Sequence, residues 1–320
     1  MLFRETGVTI AAATTIKARQ RPGDRIFSSA TVIAGSLILA VLAAVAIFLL
    51  IESLPAFVAA PAEFSGDVTN FWSYVGPLVF GTIYSAILAL IMAVPVAIGI
   101  ALFISHFAPR KLSQFLGYLV DLLAAVPSVV FGLWGIGVLA PLVQPFYSTL
   151  VEWFGWFTPL AGPVSGTGRT IFTVAIVLAV MILPIITAIC REIFLQTPLL
   201  HQEAALALGA TRWEMIKMAV LPFGLPGIIS ASMLGLGRAL GETMAVAMVL
   251  SPSSQVIFQL LTSQNSTTIA ANIALNFPEA HGVGVNILLA TGLMLFIVTL
   301  LVNMLARVII NSRKAFSGAN

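Results

Sequence analysis

An all-α integral membrane protein with six transmembrane helices is the fold this sequence predicts, and three observations predict it. Of its 320 residues, 59% are hydrophobic and only 8% are charged, where a soluble domain carries about 25% charged residues. The apolar residues form continuous runs instead of alternating with polar ones, which selects helices over a transmembrane barrel. Six runs reach the ~20 residues needed to cross the hydrocarbon core. Helices and closed barrels are the only spanning structures that satisfy every backbone polar group in lipid, so composition and pattern agree.

The spans read from the sequence are Ser28 to Ile51, Tyr74 to Phe107, Phe115 to Val143, Ile171 to Cys190, Ile228 to Leu250 and Val283 to Ala306. The first is too long for the core of a cleaved signal peptide and reads as an uncleaved anchor. The second and third are long enough to tilt, to bend at Pro95 or Pro127, or to extend past the bilayer. Between the spans, Phe71, Trp72 and Tyr74 suit an interfacial belt. Phe146, Tyr147, Trp153, Phe154, Trp156 and Phe157 suit a short helix lying in the outer headgroup layer. Residues 251–282 form the longest polar stretch outside the membrane. Residues 1–27 read as a cytoplasmic arm, 28–310 as the transmembrane domain and 311–320 as a cytoplasmic tail.

Orientation follows from the basic residues. Arg4, Lys17, Arg19, Arg21, Arg25, Arg110, Lys111, Arg191, Arg212, Lys217, Arg307, Arg313 and Lys314 all fall on one side, 13 of the 15 Lys and Arg. That side is expected to be the cytoplasm, with both termini inside a bacterial plasma membrane. The opposite loops contain Glu52, Glu63, Asp67, Glu152 and Glu279, with Arg169 as their one base. The net charge of +3 is this asymmetry and implies no nucleic-acid partner. A single cysteine, Cys190, excludes a disulfide within the chain and reads as an inert buried thiol. His106, His201 and His281 lack ligand spacing, so no metal site is expected.

Residues 197–222, between the fourth and fifth spans, are polar and helix-forming. Thr197-Pro198 has the order of a helix cap followed by proline at the first helical position. Gly209 is a natural stop. Thr211 and Glu214 then have capping-box spacing for a second short helix, closing at Leu221-Pro222. The insert is expected to be helix, bend, helix. Ala204 and Ala205 leave little bulk for a partner to clear, while Glu203, Arg212, Glu214 and Lys217 supply rim charges. The plainer alternative is an amphipathic connector resting on the membrane.

The fifth span carries Gly235-Leu-Gly237-Arg238-Ala-Leu-Gly241-Glu242-Thr243-Met244. Arg238 and Glu242 fall near the bilayer centre, where an arginine costs roughly 2.5–3.5 kcal/mol and must face protein or water. At i, i+4 the two are expected to share a helix face and pair. Gly237 and Gly241 have the spacing of a close helix approach. A planar guanidinium suits a tetrahedral oxyanion, so Arg238 is the candidate substrate contact and Glu242 its counter-charge. The bland alternative is a buried pair that sets helix register. Asp121 lies just inside the third span and reads as a residue reaching interfacial water.

The order Glu203-Ala204-Ala205, Gly209 and Leu221-Pro222 resembles the cytoplasmic EAA loop of ATP-binding-cassette importer permeases, departing from it at Ala219. Three further segments are similar to the PstC-type permeases of phosphate-specific importers: Gly-Arg-Ala-Leu-Gly-Glu-Thr-Met-Ala-Val from Gly237, residues 124–135, and Gly-Asp-Arg-Ile-Phe at 23–27. This resemblance spans nearly the whole chain. It implies a type I importer permease fold, with Glu203, Ala204, Ala205, Gly209 and Arg212 docking an ATPase and Arg238 and Glu242 lining the substrate pathway. It implies a PstA-type permease, a PstB-type ATPase dimer and a periplasmic PstS-type phosphate-binding protein as partners. ATP and Mg are expected on the ATPase subunits, because this chain has no Gly-x-x-x-x-Gly-Lys-Ser/Thr cradle. No nucleophile–base constellation points to an enzyme.

Four readings stay open at this point. One is an ATP-driven phosphate importer subunit. Another is the same machine carrying sulfate, molybdate or tungstate. The others are an ion-coupled secondary transporter or channel acting alone, and a membrane sensor.

Overall fold

The computed structural model describes residues 22–64, 68–251 and 253–314. The chain divides into two compact units, Met1–Phe48 and Leu49–Asn320. Most of α1 (Pro22–Ser53), a single long apolar helix, belongs to the first. The arm expected over 1–27 lies outside the described residues as far as 21, and its remainder opens α1. The tail expected over 311–320 lies outside them from 315 onward.

The second unit is built around α2 (Phe71–Leu102) and α6 (Ile171–Leu195). α2 buries Ala86, Ala89, Ala93, Ala97 and Ala101, a stripe at three- and four-residue steps on one helix face. Small residues let α6 approach closely, with Leu178, Met181, Ile182 and Ile186 filling the seam. Lipid tails are as apolar as the side chains, so close packing, not escape from water, holds such helices together. Both helices begin at side-chain caps. Asn70 and Ser73 exchange a reciprocal pair at 3.0 and 3.2 Å, and Thr170 accepts from the Thr173 N–H at 3.2 Å. α9 (Leu221–Leu240) leans on α6 through glycines. A Cβ at Gly224 would meet the Phe194 ring, one at Gly227 the Ile193 side chain and one at Gly235 that of Ile186.

Among the described residues, six helical stretches are long and apolar enough to cross a membrane: Gly23–Val58, Phe71–Phe107, Ser128–Phe154, Ile171–Leu195, Arg212–Leu240 and Val283–Val308. The third differs from the span expected at 115–143. The chain turns at Val126-Pro127, because proline donates no hydrogen bond and pushes its predecessor out of the helical region. α3 (Arg110–Ala124) is therefore a separate amphipathic helix. Its Phe115, Tyr118 and Leu122 are exposed, and Gly117 lies against the Arg191 guanidinium. Asp121 sits on the exposed surface of α3, not inside a span. The span itself is α4 (Ser128–Trp134), a π-helical turn over Gly135–Leu139 and α5 (Ala140–Phe154). Phe146, Tyr147, Trp153 and Phe154 thus end the third span and do not form a separate headgroup-layer helix. Tyr147 is fully buried, and its hydroxyl bonds Thr170 at 3.2 Å and Thr173 at 2.5 Å.

The fifth span starts earlier and stops sooner than 228–250. After α7 (Leu199–Ala207), one continuous helix runs from α8 (Arg212–Met215) through a π-helical turn over Ile216–Val220 into α9. The insert does not close at Leu221-Pro222. Pro222 lacks the N–H that would reach back one turn, and the wide turn just before it absorbs the misfit. The helix breaks at Gly241–Thr243 and resumes as α10 (Met244–Val249).

The polar stretch that follows is exposed over much of 254–258 but packed over 260–262 and 265–268. Residues 253–268 fold against α2 and the start of α6 before α11 (Ile269–Asn276) and α12 (Val283–Lys314), with Leu261, Asn265, Ser266, Thr267 and Thr268 buried. Their polar groups find partners, as buried polar groups must. Asn265 accepts from the Ile171 N–H at 3.0 Å and donates to the Gln259 carbonyl at 2.6 Å. The Thr82 hydroxyl accepts from the Ile269 N–H at 2.9 Å. Gly81 makes this seat possible, since a Cβ there would collide with the Ser266 and Thr267 carbonyl oxygens. Gly81→Val is therefore expected to destabilise the protein by about 1–3 kcal/mol through overpacking. The check is a lowered thermal unfolding midpoint, with Gly99→Val, which meets open space, as the control.

Candidate functional site: the insert and the broken fifth helix

The insert forms as two helices joined by a glycine bend. Its entry differs from the expected cap. Pro198 occupies the capping position itself and helix begins at Leu199, while the Thr197 hydroxyl is buried without a partner. Gln202 instead donates to the Thr197 carbonyl at 3.1 Å. At the other end the Ala210 N–H reaches the Ala205 carbonyl at 3.2 Å and the Gly209 N–H reaches that of Leu206 at 3.0 Å. This pair of bonds closes a helix only when the following residue is left-handed, and Gly209 has φ +86°.

α8 then starts on the capping box expected from Thr211 and Glu214. The Glu214 carboxylate accepts from the Thr211 N–H and hydroxyl, both at 2.8 Å, and Thr211 Oγ1 accepts from the Glu214 N–H at 3.3 Å. The Thr211 N–H and hydroxyl hold the Glu214 carboxyl below the usual carboxylate range, with Lys217 adding to the effect. The cap is therefore complete above the ordinary carboxylate pKa and is lost as pH falls through the lowered folded value. Thr211→Val is expected to speed hydrogen exchange of the Arg212–Glu214 amides at neutral pH. Acidifying the unmodified protein through the lowered carboxyl range is expected to reduce the protection of the same amides relative to their intrinsic exchange rate at each pH.

The docking candidates divide between two faces. Glu203, Ala204, Gly209 and Arg212 are exposed on the outside of the insert. Ala205 is not available to a partner; it is buried in the core that includes Met215 and Ile216. Apolar side chains complete the exposed face, Leu200 at 77% and Leu208 at 89% exposure. Lys217 lies 5.2 Å above the Trp213 ring, which braces the base of the second helix.

Arg238 and Glu242 are brought near the same break, but not as a pair. Arg238 stands in the last turn of α9, exposed, on a cavity of about 640 Å³ lined also by Ile185, Ser230, Met233, Gly237 and Asn303. Glu242 lies beyond the end of that helix and is only 8% exposed. Its carboxylate accepts from the Ala245 N–H at 3.1 Å, so it caps α10. Among the described residues no ion pair joins the two side chains. The i, i+4 rule requires an unbroken helix, and this one ends between them. Gly237 and Gly241 likewise make no close approach to another helix. They lie on the same open side as Arg238, while Gly224, Gly227 and Gly235 make the contacts with α6. Chemically, the arrangement offers a guanidinium with free donors at the end of a membrane-spanning helix, next to a roomy cavity edged by the polar side chains of Ser230 and Asn303.

Asn303 was not visible as a site residue in the sequence, because only the fold brings α12 beside α9, while Ser230 lies on α9 itself, about two turns before Arg238. Asn303 does leave a trace, an amide inside an apolar span. Cys190 is buried and unpaired in a disulfide. Among the described residues no group of three His, Cys, Asp or Glu is placed to hold a metal ion.

Comparison with known proteins decides the family. A profile for the binding-protein-dependent transport system inner membrane component matches residues 93–314. The chain belongs to that family. Members at substantial identity include a Mycobacterium tuberculosis protein named phosphate transport system permease protein PstC 2, 47% identical over 300 residues, covering 90% of this chain and 92% of the relative. A Mesorhizobium japonicum phosphate transport system permease protein PstC is 38% identical over 307 residues, covering 92% of each. The fold is similar to that of a chain in the solved bacterial alginate ABC transporter, at TM-score 0.61 and 16% identity over 93% of this chain and 97% of that one. A chain of the MetNI methionine ABC transporter aligns at TM-score 0.50 and 16% identity over 76% and 93%. This inner membrane component is therefore a multi-pass permease chain with the helical fold of type I importers, one part of a larger transport system.

Proposed function

We propose that this permease carries inorganic phosphate inward, driven by ATP hydrolysed on separate subunits. A PstA-type permease completes the pathway, a PstB-type ATPase dimer binds ATP and Mg and grips the insert, and a periplasmic PstS-type protein delivers the anion. The insert and both termini face the cytoplasm, as the distribution of Lys and Arg indicates. The observation that carries the reading is Arg238, a guanidinium at the end of α9 on a cavity of about 640 Å³, in a chain 47% identical to a named phosphate permease. Arginine presents planar, paired donors that match phosphate oxygens. Alternating exposure of this cavity to the two sides of the membrane would move the anion without covalent chemistry in this chain.

The direct experiment is radiolabelled phosphate uptake into vesicles containing the assembled complex, ATP inside and loaded binding protein outside. Excess sulfate, molybdate or tungstate should leave uptake unchanged. Uptake of one of those anions with no phosphate uptake overturns the assignment, and uptake by this chain alone without ATP overturns the mechanism.

A further inference from the structure

Arg169 is the one base that the charge pattern leaves on the side opposite the insert, and the pathway described above does not use it. It sits in the loop between α5 and α6, half-buried, with its guanidinium turned toward α10. Nη2 donates to the Met248 carbonyl at 3.2 Å and Nε to the Val249 carbonyl at 3.4 Å. These are the last residues of α10, where helix carbonyls lack intrahelical partners and carry partial negative charge. The other end of α10 is capped by Glu242 through the Ala245 N–H. A six-residue helix is thus tied at both ends by charged side chains.

The mount for Arg169 is firm. The Thr173 hydroxyl holds the Gly168 carbonyl at 2.6 Å, and Thr170, on the other side of Arg169, caps α6. Gly168 is left-handed, at φ +70°, and lies against the Ala140 carbonyl of α5. α10 is also seated closely. A Cβ at Gly132 would meet the Ala245 backbone, and one at Gly135 would meet Val177 and Val249. Only Gly241–Thr243 separates this fixed piece from α9.

We propose that Arg169 is a positioning residue. It anchors α10 to the start of α6, so that the fifth span flexes at Gly241–Thr243 during transport and Arg238 moves relative to a fixed α10. The role of this anchor in transport rests on the phosphate-import reading, but the anchor itself is tested by distance, independently of cargo.

Nitroxide labels at Gly166→Cys, an open site, and Met244→Cys, an exposed one, span the tie. Cys190 is buried and stays unlabelled. In the assembled complex with native Arg169, the pulsed-EPR distance should be narrow and the same with and without trapped ATP. In Arg169→Gln it should broaden and change with nucleotide. Hydrogen bonds to a charged group are strong enough that losing two should shift the ratio of anchored to released helix by about tenfold or more. Phosphate uptake should fall in parallel while ATP hydrolysis continues. Arg169→Lys keeps the charge without the fork and should lie between the two; it carries the same test if Arg169→Gln fails to assemble. A native distance that moves with nucleotide as much as the variant's overturns the anchor. So does an unchanged distance in Arg169→Gln with uptake lost, which would place Arg169 in the anion's path instead.

Discussion

Arg238→Gln is expected to abolish phosphate uptake while the complex still assembles. Glutamine keeps most of the side-chain volume and removes the charge and the paired donors. Two charge-assisted hydrogen bonds to a phosphate oxyanion are worth enough that the loss should reach about a hundredfold or more. Assembly should survive because Arg238 is exposed and, among the described residues, has no ion-pair partner to abandon. Arg238→Lys separates charge from geometry. A lysine restores the positive centre but not the fork, so uptake should recover only in part. Glu242→Gln should behave differently from either. Its amide oxygen can still accept from the Ala245 N–H, so a variant that keeps uptake would identify Glu242 as a cap and not as a counter-charge. The measurement is initial uptake rate in vesicles, with co-purification of the partner subunits as the assembly control. Loss of assembly in Arg238→Gln would instead mark the arginine as a packing residue.

Glu203→Trp and Gly209→Ala should each uncouple ATP hydrolysis from import, for separate reasons. Glu203 is exposed on α7, so tryptophan adds bulk to the proposed docking surface without disturbing the insert's core. Gly209 has φ +86°, and an alanine there strains the bend by roughly 1–2 kcal/mol. A misplacement of that size is enough for about a tenfold loss of coupled transport. The purified complex should continue to hydrolyse ATP while phosphate per ATP falls. An unchanged ratio in both variants would remove the insert from the coupling path. Ala205 supplies the control, because it is buried against the insert's own second helix. Ala205→Trp should lower stability rather than only the ratio.

The parts of this protein that were legible in sequence are those written locally. Gly209, Thr211 and Glu214 signal a bend and a cap within a few residues of one another, and the structure forms both. The spans that became α2 and α6 needed only their own apolar length. The errors arose where a distant element decides. α3 is apolar enough to merge by eye with the span after it, and Pro127 acts as a boundary where the sequence suggested a bend. The break after Leu240 cannot be seen from i, i+4 spacing, which presumes the helix it was used to infer. The seat of residues 253–268 was likewise not legible, because partners such as Tyr84 and the Ile171 N–H come from α2 and α6. The Thr82–Ile269 bond joins positions 187 residues apart, and no local pattern encodes it. Arg169 is the same case, with its acceptors about 80 positions away.

The unbroken stretch Arg212–Leu240 fixes where mechanical work can be delivered. At ~1.5 Å per residue it is a rod of ~43 Å, rooted in the insert and ending within one turn of Arg238. Its soft points, the π-helical turn over Ile216–Val220 and the prolines Pro222 and Pro226, all lie toward the insert, and from there to Arg238 the helix is unbroken. The next compliant point is Gly241–Thr243, just past the guanidinium. In the proposed import cycle a stroke delivered at the insert would therefore act at Arg238 and not beyond it, and the far end of the same span can remain still while its near end turns.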